Sequence, residues 1–282
     1  MPELPDLVHV EAVLARTVCG LRIAEVRVGD PVVLRLMVPG PLPALLVSKR
    51  ITAVNRLGQF LRFSLGGDLV LVVNAMLSGR YALVSGAKRR DGKNLILALR
   101  FESGLELHYA DETRMGKIYV AEARQVAEIP GLRDLGVELL SPEFTLDRFR
   151  TLAAGRRDQV RQFLLDKTAL ASIGNAYADE ILFAARLHPK TFCNKLLAED
   201  VDRLFAAIRD TLAWAIREIE TRNQPIETKV RDFLKVRGRA GQPCPACKTV
   251  IRKVRVGRDD ACFCPQCQPA TRKLFVDFSK LT

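Results

Sequence analysis

Cys244-Pro245-Ala246-Cys247 and Cys264-Pro265-Gln266-Cys267 decide how the C-terminal part of this 282-residue chain folds. Each stretch is a Cys-x-x-Cys pair, and sixteen residues separate the two pairs. Two such pairs supply four thiolates for one tetrahedral Zn²⁺, and a site with four cysteine ligands leaves no open position for catalysis. We therefore predict one structural zinc ion, bound by Cys244, Cys247, Cys264 and Cys267.

A redox dithiol or a set of disulfides is the competing interpretation of these cysteines. The sequence shows no signal peptide and no membrane-spanning run, so we expect a reducing cytosol, in which thiols remain free to bind metal. Cys262 lies two residues before Cys264 and could compete as a ligand. Cys19 and Cys193 stand alone, and we expect them to be small buried apolar residues.

The charge of the chain is strongly basic. Lys and Arg number 44 against 32 Asp and Glu, which gives a net charge of +12. An excess of this size predicts a polyanionic partner. Residues 229–258 concentrate ten Lys and Arg around a single acid, Asp232, and lack the apolar face of a membrane-binding helix. Phosphate contact is therefore the favoured role of this segment, and no membrane partner is expected.

The hydrophobic pattern divides the chain into a β-rich half and a helical half. Residues 7–19 have helical spacing, and short β-rich runs then follow one another up to Ala123. Short strands at this density favour a β-sandwich or a barrel. The pattern breaks at about residues 135–142, and beyond them the sequence favours helices, most clearly at 200–222. The predicted strands are 22–28, 49–57, 59–65, 68–73, 81–84, 94–101, 105–109 and 117–123.

Pro2 becomes a potential nucleophile if the initiator Met1 is removed. A proline at a mature N-terminus is a secondary amine, and part of it is uncharged near neutral pH because α-amino groups titrate at about 8. Such an amine can attack a sugar C1′ and form an iminium intermediate. Glu3 could donate or shuttle the proton. Met-Pro starts also occur without any function, so this interpretation depends on the rest of the chain.

The stretch Ile173-Gly174-Asn175-Ala176-Tyr177 is typical of a turn that enters a helix. Gly174 permits close approach of the backbone, and Asn175 offers a side-chain amide. The free N–H groups at the start of the following helix suit a phosphate. A plain connection between two helices accounts for the pattern equally well.

These motifs occur in the order that is typical of one family. The chain resembles the formamidopyrimidine-DNA glycosylase and endonuclease VIII family along nearly its whole length. The resemblance is carried by the Met-Pro-Glu-Leu-Pro start, the β-rich half, Leu164-Leu165-Asp166, Ile173–Leu182, His188-Pro189 and the four-cysteine finger that ends in Cys267-Gln268.

The resemblance implies an α+β multidomain fold. Residues 1–135 would form an N-terminal helix and a two-layered β-sandwich that carries the nucleophile. Residues 136–228 would form a DNA-binding helix–two-turns–helix domain. Residues 229–282 would form the basic segment and a four-cysteine zinc β-hairpin.

The resemblance also implies a DNA repair glycosylase with AP-lyase activity, which extrudes a damaged nucleotide from double-stranded DNA. Pro2 would be the nucleophile that forms a Schiff base, and Glu3 the acid that assists opening of the sugar. Asp6 stands where the family has Glu and keeps a carboxylate there. Gly174 and Asn175 would grip the phosphates that flank the lesion. We expect a monomer in the cytoplasm, associated with the nucleoid.

Two positions in the β-rich half depart from the family pattern. Gln59 replaces a lysine that can hold a phosphate or the opened sugar as a point charge, whereas glutamine can only hydrogen-bond. The family's His-Leu-Gly-Met loop reads Asn74-Ala75-Met76-Leu77. We expect Asn74 to contact DNA, and Leu77 to fill the gap that the extruded nucleotide leaves.

Two further loops also differ. The family's Asp-Pro-Arg-Arg-Phe-Gly loop reads Asp111-Glu112-Thr113-Arg114-Met115-Gly116. Thr113 replaces the arginine that reads an opposite cytosine, and Met115 replaces the aromatic wedge. Arg114, on an extended backbone, should point to the other face, towards phosphate. The arginine of the zinc hairpin lies one place early, as Arg258, and Asp259 occupies its slot.

Residues 222–239 are too few for the long capping loop of 8-oxoguanine enzymes. Together the departures predict oxidised pyrimidines, abasic sites or an unusual modified base as substrate, in preference to standard 8-oxoguanine. Two alternatives stay open. One is a weak or monofunctional glycosylase, because Gln59 would impair strand cleavage. The other is a non-catalytic relative that recognises damaged or distorted DNA.

Overall fold

The computed structural model describes residues 2–85 and 94–270. Its contacts divide the chain into two compact units. Unit 1 runs from the N-terminus to Asp134 and includes Ile219–Val230, and unit 2 comprises Leu135–Glu218 and the chain from Arg231 onwards. The three-domain division stays a prediction. The removal of Met1 and the end of the third domain, residues 271–282, lie outside the described residues.

Unit 1 contains the first helix and two β-sheets. The helix α1 spans Leu4–Val18, with a proline in its first turn, where no helical hydrogen bond is lost. The strands are β1 (Ile23–Val28), β2 (Leu34–Leu36), β3 (Ile51–Leu57), β4 (Phe60–Leu65), β5 (Leu69–Asn74), β6 (Arg80–Val84), β7 (Leu95–Phe101), β8 (Glu106–Ala110) and β9 (Lys117–Glu122).

The two sheets of unit 1 share one apolar core. One sheet has the order β2-β9-β5-β4-β3, and the other has the order β1-β7-β8-β6. Phe63 and Leu71 of the first sheet and Leu97 and Leu107 of the second belong to the same buried cluster. Alternate residues of each strand point into this core, as the period of a strand requires. The predicted β-sandwich is confirmed.

The predicted strands correspond closely to those of unit 1. All eight are present, with ends within two residues of the predicted ones. The three-residue strand β2 and the short helix α2 (Leu42–Leu46) have no predicted counterpart. Both are shorter than the windows over which strand or helix periodicity can be recognised.

Unit 2 is helical and ends in a hairpin. Its helices are α3 (Leu146–Ala153), α4 (Val160–Leu165), α5 (Asn175–Ala184) and most of α6 (Ala198–Arg222), and its strands are β10 (Arg252–Val256) and β11 (Asp259–Phe263). The predicted helix at 200–222 is confirmed as α6, and Leu204, Ile208 and Leu212 of its apolar stripe are buried. No helix among the described residues has both the length and the apolar character needed to cross a bilayer.

Candidate functional site

The N-terminal motif places two carboxylates beside Pro2 at the start of α1. Glu3 is the N-cap residue, and its backbone N–H donates to Asp6 Oδ2 over 2.8 Å. The reciprocal bond, from the Asp6 N–H to the Glu3 carboxylate, completes a capping box. Pro2 is half-buried, and both acids are buried. Asp6 therefore fixes the backbone of the residue that follows Pro2.

A pocket opens beside Pro2 within unit 1. His9 Nε2 donates to the Gln224 carbonyl oxygen over 3.0 Å, and Arg80 Nη1 donates to the Glu227 carbonyl oxygen over 3.2 Å. These two bonds hold the segment after α6 as one wall of the pocket. The pocket is lined by Pro2, Asp6, Arg80, Ile226, Thr228 and Lys229, among others.

Gln59 and Asn74 lie at the ends of strands in the same sheet. Gln59 is half-buried in the turn between β3 and β4. Asn74 is buried at the end of β5, and its Oδ1 accepts a 3.0 Å bond from the Met76 N–H. The Asn74 side-chain oxygen thus accepts a bond within its own turn, and the amide nitrogen is the donor group of that side chain.

Two loops of unit 1 expose large apolar side chains. Leu77, between β5 and β6, is 52% exposed, and Met115, between β8 and β9, is 43% exposed. Both were predicted as the side chains that fill space in the DNA. Apolar side chains of this kind are used as wedges between base steps.

Asp111 connects these two loops and is 1% exposed. Its Oδ1 accepts from the hydroxyl groups of Ser78 and Thr113 and from the Thr113 N–H, and its Oδ2 accepts from the Gly116 N–H over 2.7 Å. Burial acts to raise the pKa of Asp111, but the hydrogen bonds from Ser78, Gly116 and Thr113 outweigh it and hold the pKa below its usual value. Asp111 is therefore ionised at neutral pH.

Thr113 and Arg114 are positioned differently from each other. The Thr113 hydroxyl lies 2.7 Å from Ser78 Oγ and 3.0 Å from Asp111 Oδ1, so it is engaged inside the loop. Arg114 has φ of 54°, and the predicted extended backbone at this residue is wrong. A left-handed turn sets the direction of its side chain, and its Nε lies 3.0 Å from Asp30 Oδ2.

In unit 2, the predicted phosphate turn rests on a buried arginine. Gly174 is the N-cap of α5, and Asn175 is the first residue of that helix. Arg161 Nη2 donates to Asn175 Oδ1 and Arg161 Nε donates to Asp179 Oδ1, each over 2.9 Å. The side chain of Arg161 is 0% exposed. Arg161 thereby leaves the amide nitrogen of Asn175 as the group that can donate to a phosphate.

Asp179 and Glu180 of α5 hold the basic segment and the hairpin. Asp179 Oδ2 accepts from Arg237 Nη1 and from the Cys262 N–H, each over 2.9 Å. The Glu180 carboxylate accepts three 2.9 Å bonds from the backbone N–H groups of residues 235–237. Burial raises the pKa of Glu180 in spite of these bonds. The Arg237 side chain is therefore engaged with Asp179 inside unit 2. Only the other cations of the basic segment are available to phosphate.

The four predicted zinc ligands form one cluster. Their sulfur atoms all lie within 4.8 Å of one another. The Cys247–Cys264 and Cys244–Cys267 sulfur pairs are 3.4 Å and 3.9 Å apart. A tetrahedral zinc ion with Zn–S bonds of about 2.3 Å separates its sulfurs by about 3.8 Å. The donor set and its spacing fit zinc, and the predicted structural site is confirmed.

Cys262 does not belong to this cluster of described residues. It lies in β11, where its backbone N–H bonds to Asp179. Its side chain is buried in an apolar cluster with Val236 and Ile251. The strand alternation of β11 thus places Cys262 in the packing beneath the metal site.

The hairpin exposes a row of basic side chains. Arg252, Lys253 and Arg255 of β10 are exposed, while the two valines of the strand are buried. Arg258 lies in the two-residue turn between β10 and β11 and is exposed at the tip. Together with Arg258, these are exposed basic side chains of the zinc hairpin.

Sequence reasoning missed three residues that organise these sites. Arg161 carried a signal, since a lone arginine among the apolar residues of α4 requires a buried partner. Asp111 was recognised only as part of a loop motif. His9 carried no local signal, because the carbonyl that it contacts lies 215 positions further along the chain.

Three domain families match the chain. The formamidopyrimidine-DNA glycosylase N-terminal domain matches residues 1–118, and the H2TH domain of the same enzyme matches residues 135–225. The zinc finger found in FPG and IleRS matches residues 241–270.

Named relatives and solved structures extend this similarity to nearly the full length. A formamidopyrimidine-DNA glycosylase of Exiguobacterium sibiricum is 36% identical, covering 95% of this chain and 99% of its own. One of Symbiobacterium thermophilum is also 36% identical, covering 95% and 90%. Lactococcus lactis Fpg in complex with abasic-site DNA is 28% identical with a TM-score of 0.86, covering 95% of this chain and 100% of its own. The chain belongs to the formamidopyrimidine-DNA glycosylase family.

Proposed function

We propose that this protein is a DNA repair glycosylase with AP-lyase activity and that the amine of Pro2 is its nucleophile. The placement of Pro2 carries the proposal. It lies beside two buried carboxylates, Glu3 and Asp6, at the edge of a pocket. The relatives bear the name of such an enzyme, and the structural neighbours hold DNA with an abasic site or a damaged base.

The chemistry begins once Met1 is removed. The Pro2 nitrogen attacks C1′ of the extruded nucleotide, the bond from C1′ to the base breaks, and the base leaves with a proton. Glu3 supplies the proton that opens the sugar ring, and loss of the proton from the Pro2 nitrogen gives the iminium. The Glu3 carboxylate, which has given up its proton, then takes a proton from C2′ as the 3′ phosphate leaves, and water hydrolyses the iminium to free Pro2. Asp6 acts by holding the backbone of Glu3.

The remaining residues bind the duplex. We assign phosphate contacts to Gln59, Asn74, Arg114, Gly174, Asn175 and Arg258. Leu77 and Met115 occupy the space left by the nucleotide, beside Thr113. The four-cysteine zinc site is structural, because all four positions around the ion are taken by sulfur. We further propose a monomer that works on nucleoid DNA, since all of these groups come from one chain.

The preferred lesion is proposed to be an oxidised pyrimidine, an abasic site or an unusual modified base. The Lactococcus lactis Fpg structures include one with an oxidised pyrimidine in the DNA and one with Fapy-dG. The segment after α6 is short, and position 113 carries threonine in place of the arginine that reads an opposite cytosine. Both features favour a lesion other than standard 8-oxoguanine. Cleavage rates on duplexes that each carry one of these lesions test this choice.

Borohydride trapping on abasic DNA tests the nucleophile. Wild-type protein with a free Pro2 should give a covalent adduct, because borohydride reduces an iminium to a stable amine. Pro2→Gly should retain part of the trapping, since glycine still offers an N-terminal amine. A blocked N-terminus should abolish trapping, and equal trapping with a blocked N-terminus would contradict the role of Pro2.

The same experiment separates the two alternatives. Trapping without strand cleavage would favour a monofunctional enzyme, and the half-buried Gln59 in the place of a lysine is the observation behind that alternative. Specific binding of abasic duplex without any trapping would favour a non-catalytic relative.

A further inference from the structure

We propose that Asp111 is a positioning residue that joins Leu77 and Met115 into one rigid apolar plug for the space vacated by the extruded nucleotide. The plug rests on the proposed function, but the role of Asp111 does not follow from it. The contacts of Asp111 are to the two loops that carry the exposed apolar side chains.

The carboxylate reaches a neighbour of each apolar side chain. Ser78, next to Leu77, donates its hydroxyl to Asp111 Oδ1. Gly116, next to Met115, donates its N–H to Asp111 Oδ2 over 2.7 Å. One buried side chain therefore bonds to both loops, to the Ser78 hydroxyl in one and to the Gly116 backbone in the other.

Tyr109 forms the floor on which both loops pack. A Cβ on Gly79 would lie 2.4 Å from the Tyr109 hydroxyl oxygen, and a Cβ on Gly116 would lie 2.1 Å from the same atom. Only glycine fits at these two positions, so both loops approach Tyr109 as closely as a backbone can. Burial, followed by the charge of Asp111, raises the pKa of Tyr109 and keeps its phenol neutral.

Rigidity matters here because about half of each apolar side chain, Leu77 and Met115, is exposed to solvent. Ordering an exposed apolar side chain at the moment of binding costs conformational entropy, and a loop that is already fixed avoids that cost. Bonds from neutral donors to an ionised carboxylate are stronger than bonds between neutral groups. Asp111 is thus suited to hold both loops in one arrangement before DNA arrives.

The experiment compares Asp111→Asn with Asp68→Asn on DNA that carries a tetrahydrofuran abasic analogue, either in a duplex or in a single strand. Only the duplex has a gap in a base stack to fill. Asp68 is an exposed loop residue at φ 61°, a conformation that Asn also tolerates, so it is a matched control. We expect Asp111→Asn to weaken binding of the abasic duplex about tenfold, binding of the single strand less than about twofold, and Asp68→Asn to change neither.

Equal weakening on both forms of DNA, or no weakening on the duplex, would overturn the proposal. Circular dichroism melting shows whether Asp111→Asn folds. If it does not fold, Ser78→Ala serves instead, because it removes one donor and leaves the bonds from Thr113 and Gly116 in place. We expect Ser78→Ala also to weaken binding of the abasic duplex selectively, but by a smaller factor than Asp111→Asn.

A double-mutant cycle distinguishes positioning from direct contact. In a Leu77→Ala/Met115→Ala background the plug is gone, so adding Asp111→Asn should weaken abasic-duplex binding by less than about twofold. A further loss of about tenfold would show that Asp111 acts in another way and would overturn the proposal. Binding is measured without chemistry, so a failure of borohydride trapping would count against the proposed enzyme activity and leave this test intact.

Discussion

Asp111 in unit 1 and Asp179 in unit 2 are both buried carboxylates, yet their partners differ in kind. Within the described part of the chain, Asp111 accepts from hydroxyl and backbone N–H groups. Asp179 accepts from two arginines, Arg161 and Arg237, and from one backbone N–H. The loops of unit 1 are therefore held by neutral donors near the surface, and the hairpin of unit 2 is held by buried charges.

The difference between neutral and charged partners predicts different losses of stability when each carboxylate is replaced. Removing one member of a buried ion pair leaves an uncompensated charge, whereas removing an acceptor of neutral hydrogen bonds leaves only uncharged donors without their partner, which costs less. Disruption at Asp179 should thus cost unit 2 more stability than disruption at Asp111 costs unit 1.

Loss of the metal should have the largest effect. Cys264→Ser should lose zinc and most DNA affinity, because the folding free energy of so small a hairpin comes largely from the ion. Cys262→Ser is the matched control and should lose neither, since its side chain lies outside the sulfur cluster. Metal analysis and DNA binding measure both variants, and zinc loss only in Cys262→Ser would mean that the ligand set is wrong.

Asp179→Asn should come second. It should lower the free energy of unfolding by about 3–5 kcal/mol, because Arg161 remains buried without its counter-charge. Asp111→Asn, the same change in unit 1, should cost about 1–3 kcal/mol. Urea unfolding measures both variants, and equal costs would contradict the comparison between buried charges and neutral donors.

The dependence of the cleavage rate on the base opposite the lesion should be a smaller effect. The Thr113 hydroxyl is engaged with Ser78 and Asp111, so it has no long donor with which to read an orphaned base. Single-turnover cleavage should differ by less than about tenfold among the four opposite bases, a span of roughly 1.4 kcal/mol. Thr113→Arg should restore some preference for cytosine, because an arginine can make a bidentate contact with a base edge. A strong cytosine preference in the wild type would show that another residue reads the orphan.

The smallest expected effect is the pH dependence of the free energy of unfolding. Its sign differs between Asp111 in unit 1 and Glu180 in unit 2. The pKa of Asp111 is lowered in the folded state, so its stabilising contribution is present above the ordinary carboxyl pKa and is lost as the pH falls through the folded pKa. The pKa of Glu180 is raised by burial, so its contribution is present below the ordinary pKa and is lost as the pH rises through the folded one. Unfolding free energies of Asp111→Asn and Glu180→Gln, each subtracted from wild type at several pH values, should therefore change in opposite directions. Parallel changes would contradict these assignments.

Local sequence predicted the elements of this protein well. Strands with clear alternation, the helix at 200–222 and the cysteine pairs each carry their signal within a few residues. The backbone at Arg114 was predicted wrongly as extended, because strand alternation says nothing about a loop residue that takes a left-handed turn. The short elements β2 and α2 carry too few residues for a period to be visible.

The sequence by itself determined the zinc ligands, the positions of the strands, the long helix and, through the order of its motifs, the family, which in turn implied the β-sandwich. These depend on residue types at fixed short spacings. Only the tertiary structure decided that Asp111 connects two loops, that Arg161 and Arg237 share Asp179, and that His9 holds the Gln224 carbonyl. Those contacts join residues far apart in the chain, and a buried polar group finds its partner through packing, which no local pattern records.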